Sequence, residues 1–76
     1  MKKDNRYRKP PYLSVVVPFF NEEDSVEELH RRLTAVLKKT GKTYEIIFVD
    51  DGSLDRTPEI LSALFRRDPH LHVIRL

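Results

Sequence analysis

Apolar residues along this chain fall into three strand-like runs separated by two helical repeats. The first run, LSVVVPFF (residues 13–20), is rich in β-branched residues and is typical of a strand buried on both faces of a parallel sheet. Pro18 indicates that its hydrogen-bond ladder ends there, because proline has no N–H to donate. YEIIFVD (44–50) and LHVIRL (71–76) predict two further strands.

A first helix is predicted between residues 21 and 41. Ser25 and Glu28 have the spacing of a capping box at its start, and Gly41 suits a left-handed position at its end. Its apolar positions recur at helical spacing: Val26, Leu29, Leu33, Val36 and Leu37.

A second helix is predicted from Thr57, as the N-cap, with Pro58 at the first helical position. Asp68 and Pro69 end it. The resulting order is β-α-β-α-β, with connections long enough for parallel pairing. The fold class is therefore α/β, one half of an open, doubly wound, Rossmann-like sheet that is incomplete.

Length and composition limit the kinds of protein this chain can be. Its 76 residues are about half of an ordinary domain, so it is expected to be one end of a larger protein. It has no cysteine, which excludes disulfides and thiolate metal sites. No run approaches the roughly 20 apolar residues of a membrane span, and the N-terminus does not resemble a secretory signal. A cytoplasmic setting fits.

Charge is uneven along the chain. Residues 1–9 hold five basic residues and one acidic residue, whereas residues 10–76 hold nine basic and eleven acidic ones. We therefore predict a basic, disordered leader over residues 1–12 and a folded portion over residues 13–76. Such a leader can contact an anionic membrane surface, and no nucleic-acid partner is expected.

Polar residues cluster where the first two predicted strands end, in PFFNEE and DDGS. Ligands of open parallel sheets bind beyond the carboxyl ends of the strands, so residues 21–23 and 50–51 are expected around one crevice. Consecutive strand residues point to opposite faces. Asp50 and Asp51 are therefore not expected to share a metal or a proton: one faces the crevice and the other braces a neighbouring loop or helix end.

An ionised carboxylate only accepts hydrogen bonds. It suits the N–H edge of a base or the hydroxyls of ribose, and it repels phosphates. A diphosphate at this crevice would therefore need a divalent cation with oxygen ligands. The structural alternative is that Asp50 and Asp51 only cap the turn and the next helix.

Other polar residues have structural interpretations from the sequence. Ser53, Asp55 and Thr57 are interpreted as turn and N-cap residues, and Glu23 as a partner of the first helix dipole. The three histidines are interpreted as surface or strand residues. GKT (41–43) lacks the first glycine of a phosphate loop and leads into a strand.

Two segments together resemble the N-terminal part of family 2 inverting glycosyltransferases: LSVVVPFFNEEDSVEELHRRL and YEIIFVDDGSLDRT. The resemblance covers residues 13–76 and is closest to the branch that glycosylates dolichyl and undecaprenyl phosphates. It implies a GT-A fold, a nucleoside-diphosphate sugar as donor, and direct displacement at the anomeric carbon with inversion. The polyisoprenyl phosphate, or another glycan or lipid, is the implied acceptor.

The resemblance also implies which residues bind the donor nucleotide: Pro18, Phe20, Glu22, Val49, Asp50 and Asp51. Asp51 would accept a ring N–H of the base, with Asp50 as its supporting neighbour. The family more often has tyrosine where this chain has Phe20, so a hydroxyl contact is lost.

The family's metal-binding acidic motif, catalytic base, acceptor site and hydrophobic helices have no counterpart in this sequence. No catalytic residue or metal ligand is therefore expected in this chain, which should be inactive alone. A divalent cation, Mg²⁺ or Mn²⁺, is expected only for the full-length enzyme, at the cytoplasmic face of a membrane.

Two other functions remain open from the residues. One is a non-catalytic nucleotide-binding or interaction module, and the other is a receiver-like signalling domain with paired acids after a buried strand. An incomplete sheet also exposes a strand edge, which favours self-association.

Overall fold

A computed structural model describes residues 10–76 of the protein. The elements follow the order β1 (Leu13–Phe19), α1 (Val26–Lys39), β2 (Tyr44–Asp50), α2 (Thr57–Arg67) and β3 (Leu71–Arg75). The three strands form one parallel sheet in the order β1-β2-β3. This arrangement confirms the α/β class and the open parallel sheet predicted from the hydrophobic pattern.

One face of the sheet carries the hydrophobic core. Register partners such as Val17, Phe48 and Val73 lie side by side on this face, and Phe48 is fully buried. Both helices pack on the same face, because their buried residues belong to the same core cluster: Val26 and Leu37 from α1, Leu61 and Leu64 from α2. Each fully buried side chain of this size contributes about 1.5–3 kcal/mol to folding.

The opposite face of the sheet has no helix on it among residues 10–76. Val16 on β1 is 60% exposed and Ile74 on β3 is 47% exposed. A polar row crosses the same face, where Glu45 accepts a hydrogen bond from Ser14 and lies 3.5 Å from His72 Nε2. We call this surface the uncovered face. The expectation that the first strand is buried on both faces is wrong, because Val16 on this face is exposed.

Pro18 does not end the ladder of β1. It pairs with Val49, and the register continues to Phe19 opposite Asp50. The N–H of Leu13 donates to Thr43, and the carbonyl of Phe19 accepts from Asp51. Backbone groups of alternate residues therefore point to β2, and the nitrogen of Pro18, which lies between them, faces the open edge. A proline is tolerated there because its missing N–H would have faced away from β2, so no hydrogen bond between β1 and β2 is lost.

The ends of the helices differ from the sequence prediction in two places. Ser25 is the N-cap of α1, but its side chain makes no capping hydrogen bond within residues 10–76, so the capping box is wrong. Thr57 is the first residue of α2 and not its N-cap, which is Arg56. Gly41 has φ = +70° after α1, which confirms the left-handed position predicted for it.

A hydrogen bond joins α1 to the loop between α2 and β3. His30 Nε2 lies 2.7 Å from Asp68 Oδ2, and both side chains are largely buried. Partial burial raises the pKa of the Asp68 carboxyl, but hydrogen bonds from His30 and from the N–H of His70 outweigh it, so this pKa lies below its ordinary value. The interpretation of His30 as a surface or strand residue is therefore wrong.

The end of the predicted leader contacts the sheet. The N–H of Tyr12 donates to the carbonyl and the hydroxyl oxygen of Thr43, and Lys42 Nζ lies 4.7 Å from the centre of the Tyr12 ring. Residues 1–9, which carry the excess basic charge, lie outside the described residues, and the leader stays a prediction. Neither helix in the described part of the chain has the length and hydropathy to span a membrane.

Candidate functional site

The carboxyl ends of the three strands lie level with one another. The N–H of Asp51 donates to the carbonyl of Phe19 at 2.9 Å, and the N–H of Leu76 donates to the carbonyl of Asp50 at 3.0 Å. These bonds tie the end of β2 to both of its neighbours. Residues that follow β1 and β2 are thereby brought to one edge of the sheet, where ligands of open α/β sheets bind.

Two predicted nucleotide-binding residues form a pair on the uncovered face. Pro18 and Val49 are register partners at the ends of β1 and β2. The exposed side chain of Phe20 (56% exposed) lies two residues after Pro18, and the exposed side chain of Asp51 lies two residues after Val49. The pair offers an apolar floor without ionisable groups, and an aromatic ring and a carboxylate follow it in the chain.

Asp50 lies apart from that pair, in the interior. Its side chain is 0% exposed, and its Oδ1 accepts a hydrogen bond from the N–H of Ser53 at 3.1 Å. Arg75 Nε lies 3.3 Å from Oδ2, which partly offsets the cost of burying a charge. Asp50 therefore holds the turn after β2, and its carboxylate is not accessible to a ligand bound beside Asp51.

Two of the predicted nucleotide-binding carboxylates have no side-chain partner among residues 10–76. Glu22 and Asp51 are both exposed, and only their backbone groups make described hydrogen bonds. Gly52, with φ = +80°, turns the chain immediately after Asp51, a conformation that glycine adopts without steric cost. Of the predicted nucleotide-binding carboxylates, these two are available to accept hydrogen bonds from a ligand.

A set of five hydrogen bonds joins the loop after β1 to the loop after β2. We call this set the loop clasp; it links residues 21–23 to residues 53–57. Its bonds are Asn21 N to Ser53 Oγ (2.9 Å), Leu54 N to Asn21 Oδ1 (2.8 Å), Glu22 N to Thr57 Oγ1 (3.0 Å), Glu23 N to Asp55 Oδ2 (3.1 Å) and Arg56 N to Glu23 Oε1 (2.8 Å).

Asn21 has two roles in the clasp. Its φ of +52° is the single positive value at a non-glycine residue in the described part of the chain, and asparagine is among the residues that tolerate this region. Its amide oxygen and its backbone N–H bond two neighbouring residues of the other loop. Backbone conformation and side-chain chemistry therefore both favour asparagine here.

Asp55 and Glu23 are engaged in the clasp. Asp55 accepts the N–H of Glu23 with Oδ2 and the N–H of Thr57 with Oδ1. Desolvation raises the pKa of the Asp55 carboxyl, but hydrogen bonds from Thr57 and from the N–H of Glu23 outweigh it, so this pKa lies below its ordinary value. The turn role predicted for Asp55 is present, whereas Glu23 bonds the other loop and does not lie in the first turn of α1.

The acids of this edge do not fit a metal ion. No group of three or more histidine, aspartate or glutamate side chains within residues 10–76 is arranged to hold one. Asp55 and Glu23 have oxygens committed to backbone N–H groups, and Asp50 is enclosed beside Arg75. The divalent cation that the family resemblance implies therefore has no set of ligands among residues 10–76.

The clasp is what the sequence reasoning missed. Ser53 and Thr57 were interpreted as residues of their own turn and helix, but their hydroxyl oxygens accept backbone N–H groups from a loop more than 30 residues away. A signal was present in the sequence: both loops are rich in short polar side chains. Parallel pairing of the two strands brings these loops together.

A concave surface lies at the opposite end of the sheet from these residues. It runs between α1 and α2 and is lined by side chains of both signs, among them Arg31, Lys38, Arg67 and Asp68. None of the six predicted nucleotide-binding residues lines it. The groove is therefore separate from the strand-end edge, where the predicted site residues lie.

Comparison with known proteins shows the family to which the chain is similar. Residues 14–76 match the model of Glycosyl transferase family 2. An undecaprenyl-phosphate 4-deoxy-4-formamido-L-arabinose transferase of Edwardsiella ictaluri is 50% identical over 56 residues, which are 74% of this chain and 17% of that protein. The protein of the same name from Pectobacterium atrosepticum is 48% identical over 62 residues, 82% of this chain and 19% of that protein.

A third relative of that name, from Pseudomonas aeruginosa strain UCBPP-PA14, is 50% identical over 56 residues, 74% of this chain and 16% of that protein. The chain thus spans less than a fifth of the length of these curated relatives.

Proposed function

Because the chain belongs to glycosyltransferase family 2, we propose that it is the donor-nucleotide-binding portion of an enzyme that transfers a sugar from a nucleoside-diphosphate sugar. We propose a polyisoprenyl phosphate as the acceptor. The names of the relatives support this acceptor class, since each includes undecaprenyl phosphate. Family membership does not favour the receiver-like domain or the non-catalytic module.

The observation that carries the proposal is the contrast among the acids at the strand ends. Glu22 and Asp51 are exposed and have no side-chain partner within residues 10–76, whereas Asp50 is enclosed. A free carboxylate can accept a ring N–H of uracil or guanine, and another can accept a ribose hydroxyl. Pro18 and Val49 supply the apolar surface that a base packs against.

In this proposal Asp51 accepts the base N–H, Glu22 accepts from the ribose, and Phe20 covers the nucleoside. Asp50 acts on the ligand only through the turn that it holds. Residues outside this chain would bind the divalent cation, provide the catalytic base and form the acceptor site. In the intact enzyme the acceptor phosphate would attack the anomeric carbon and displace the diphosphate with inversion, at the cytoplasmic face of a membrane.

The test is an amide NMR titration of the chain with UDP and then GDP. We expect shifts confined to residues 20–22 and 49–52, and their loss in Asp51→Ala. Glu59→Ala removes another exposed acid, on α2, and has the same net charge as Asp51→Ala, so it is the charge-matched control and should bind like the wild type. A folded chain that shifts with neither nucleotide would overturn the proposal. Sugar transfer by the purified chain would overturn the expectation that it is inactive alone.

A further inference from the structure

The loop clasp connects the backbones that carry the two free carboxylates. The N–H of Glu22 itself donates to Thr57 Oγ1 at 3.0 Å. Ser53, two residues after Asp51, accepts from Asn21 and is fixed from the other side by Asp50 Oδ1. The positions of Glu22 and Asp51 are therefore linked through a short path of hydrogen bonds that avoids both of their side chains.

The groups of the clasp are committed to one another and leave little for a ligand. Thr57 is 0% exposed and Ser53 is 6% exposed, so a nucleotide cannot replace their contacts without opening the loops. Glu23 and Asp55 accept backbone N–H groups across the gap. Each loop both donates hydrogen bonds to the other loop and accepts hydrogen bonds from it. The clasp therefore fixes the distance between the two loops and their relative orientation.

We propose that Thr57 and Asn21 are positioning residues of the donor site, which set the relative placement of Glu22 and Asp51 before the nucleotide arrives. This inference rests on the proposed function, because it assigns what prepares the same site. Ordering the loops in the free protein removes part of the entropy cost that binding would otherwise carry. Loss of one clasp bond should therefore weaken nucleotide binding although no contact with the ligand is removed.

Thr57 offers a matched pair of variants. Thr57→Val keeps the volume and β-branching but removes the oxygen that accepts the N–H of Glu22, whereas Thr57→Ser keeps the oxygen. We expect Thr57→Val to weaken UDP or GDP binding about tenfold or more, and Thr57→Ser to stay within about threefold of the wild type. Asn21→Gly retains the positive φ without the amide oxygen, and should also weaken binding.

Two further measurements separate positioning from a general loss of stability. Hydrogen exchange without nucleotide should accelerate at residues 21–23 in Thr57→Val but not in Thr57→Ser. Leu37→Ala, in the core at the far end of α1, serves as the stability control. At a temperature where its folded fraction matches that of Thr57→Val, it should bind nucleotide like the wild type.

The outcomes distinguish this inference from the proposed function. If the folded wild type binds neither UDP nor GDP, the proposed donor site is wrong, and the positioning role falls with it. If the wild type binds and Thr57→Val binds equally well, the positioning role alone is overturned. The same conclusion follows if Leu37→Ala loses affinity to the same degree, because the effect would then reflect stability.

Discussion

Asp50 and Asp51 are adjacent in the chain but occupy opposite environments. The Asp50 carboxylate is enclosed between the turn after β2 and Arg75, whereas the Asp51 side chain is exposed and free of partners within residues 10–76. The alternation of a β-strand separates them, since each strand residue points away from its neighbour. A pair of acids that looks like one motif is thus one structural carboxylate and one candidate ligand group.

Substitution of these two aspartates should have very different effects on stability. Asp50→Ala leaves the largely buried N–H of Ser53 without its acceptor, which should cost about 1–3 kcal/mol and lower the Tm by roughly 4–8 °C per kcal/mol for a domain of this size. Asp51→Ala should stay within about 0.5 kcal/mol of the wild type. Thermal unfolding followed by circular dichroism measures both, and equal shifts in Tm would contradict the assignment.

Phe20→Tyr should tighten nucleotide binding. The Phe20 ring is 56% exposed at the end of β1, and a phenol there could restore the hydroxyl contact whose loss the family resemblance implies. One added hydrogen bond is worth about 0.5–1.5 kcal/mol, which corresponds to an affinity gain of about two- to tenfold. Titration with UDP and GDP tests this, with Phe20→Leu as the control that should bind more weakly. Unchanged or weaker binding by Phe20→Tyr would count against a ligand at this position.

Acid should destabilise the fold partly through Asp68. Its carboxyl has a pKa below the ordinary value because the hydrogen bonds from His30 and His70 outweigh partial burial. Its contribution to stability is therefore fully present above the unfolded pKa of about 3.9 and disappears as the pH falls through the lower folded value. Urea midpoints between pH 7 and pH 2.5 should decline less steeply in Asp68→Asn than in the wild type.

Glu59→Gln, on the exposed surface of α2, provides the control for that series and should follow the wild-type curve. Asp55 also has a lowered pKa, so Asp68→Asn should remove only part of the acid dependence. A variant curve parallel to the wild-type curve at low pH would show that the bond between His30 and Asp68 does not contribute in this way.

The uncovered face should promote self-association. Val16 on this face is 60% exposed, and Val36 on the outer side of α1 is 62% exposed, so the two valines form a matched pair. We expect Val16→Lys to shift sedimentation profiles at high protein concentration toward the monomer, whereas Val36→Lys should leave them unchanged. A wild type that remains monomeric at every concentration, or equal effects of both variants, would contradict this prediction.

The elements of the fold were predictable because each depends on local sequence. Strand β2 has the predicted bounds, and Gly41 occupies the left-handed position expected after a helix. Pro18 was misjudged because its effect depends on whether its nitrogen faces a neighbouring strand, and this depends on register. The uncovered face was missed for a similar reason, since the apolar runs do not reveal that both helices pack on one side.

The candidate site was predictable only as a set of strand ends. The strand-end positions of Glu22 and Asp51 predict that both lie at one edge of the sheet, and the structure places them there. The local pattern Thr-Pro-Glu predicts a helix cap at Thr57. The hydroxyl oxygen of Thr57 instead accepts the N–H of Glu22, which lies 35 residues earlier in the chain. A contact between residues so far apart in sequence depends on how the strands pair and cannot be read from local sequence.

The position of Pro18 also bears on how the protein avoids aggregation. The nitrogen of Pro18 faces the open side of β1 and has no hydrogen to donate. A strand from another molecule that extended the sheet there would leave one of its carbonyl groups unpaired, close to the end of β1. Prolines at strand edges act as gatekeepers against such growth. Pro18, which forms half of the apolar floor of the proposed donor site, thus also discourages edge-to-edge pairing along β1.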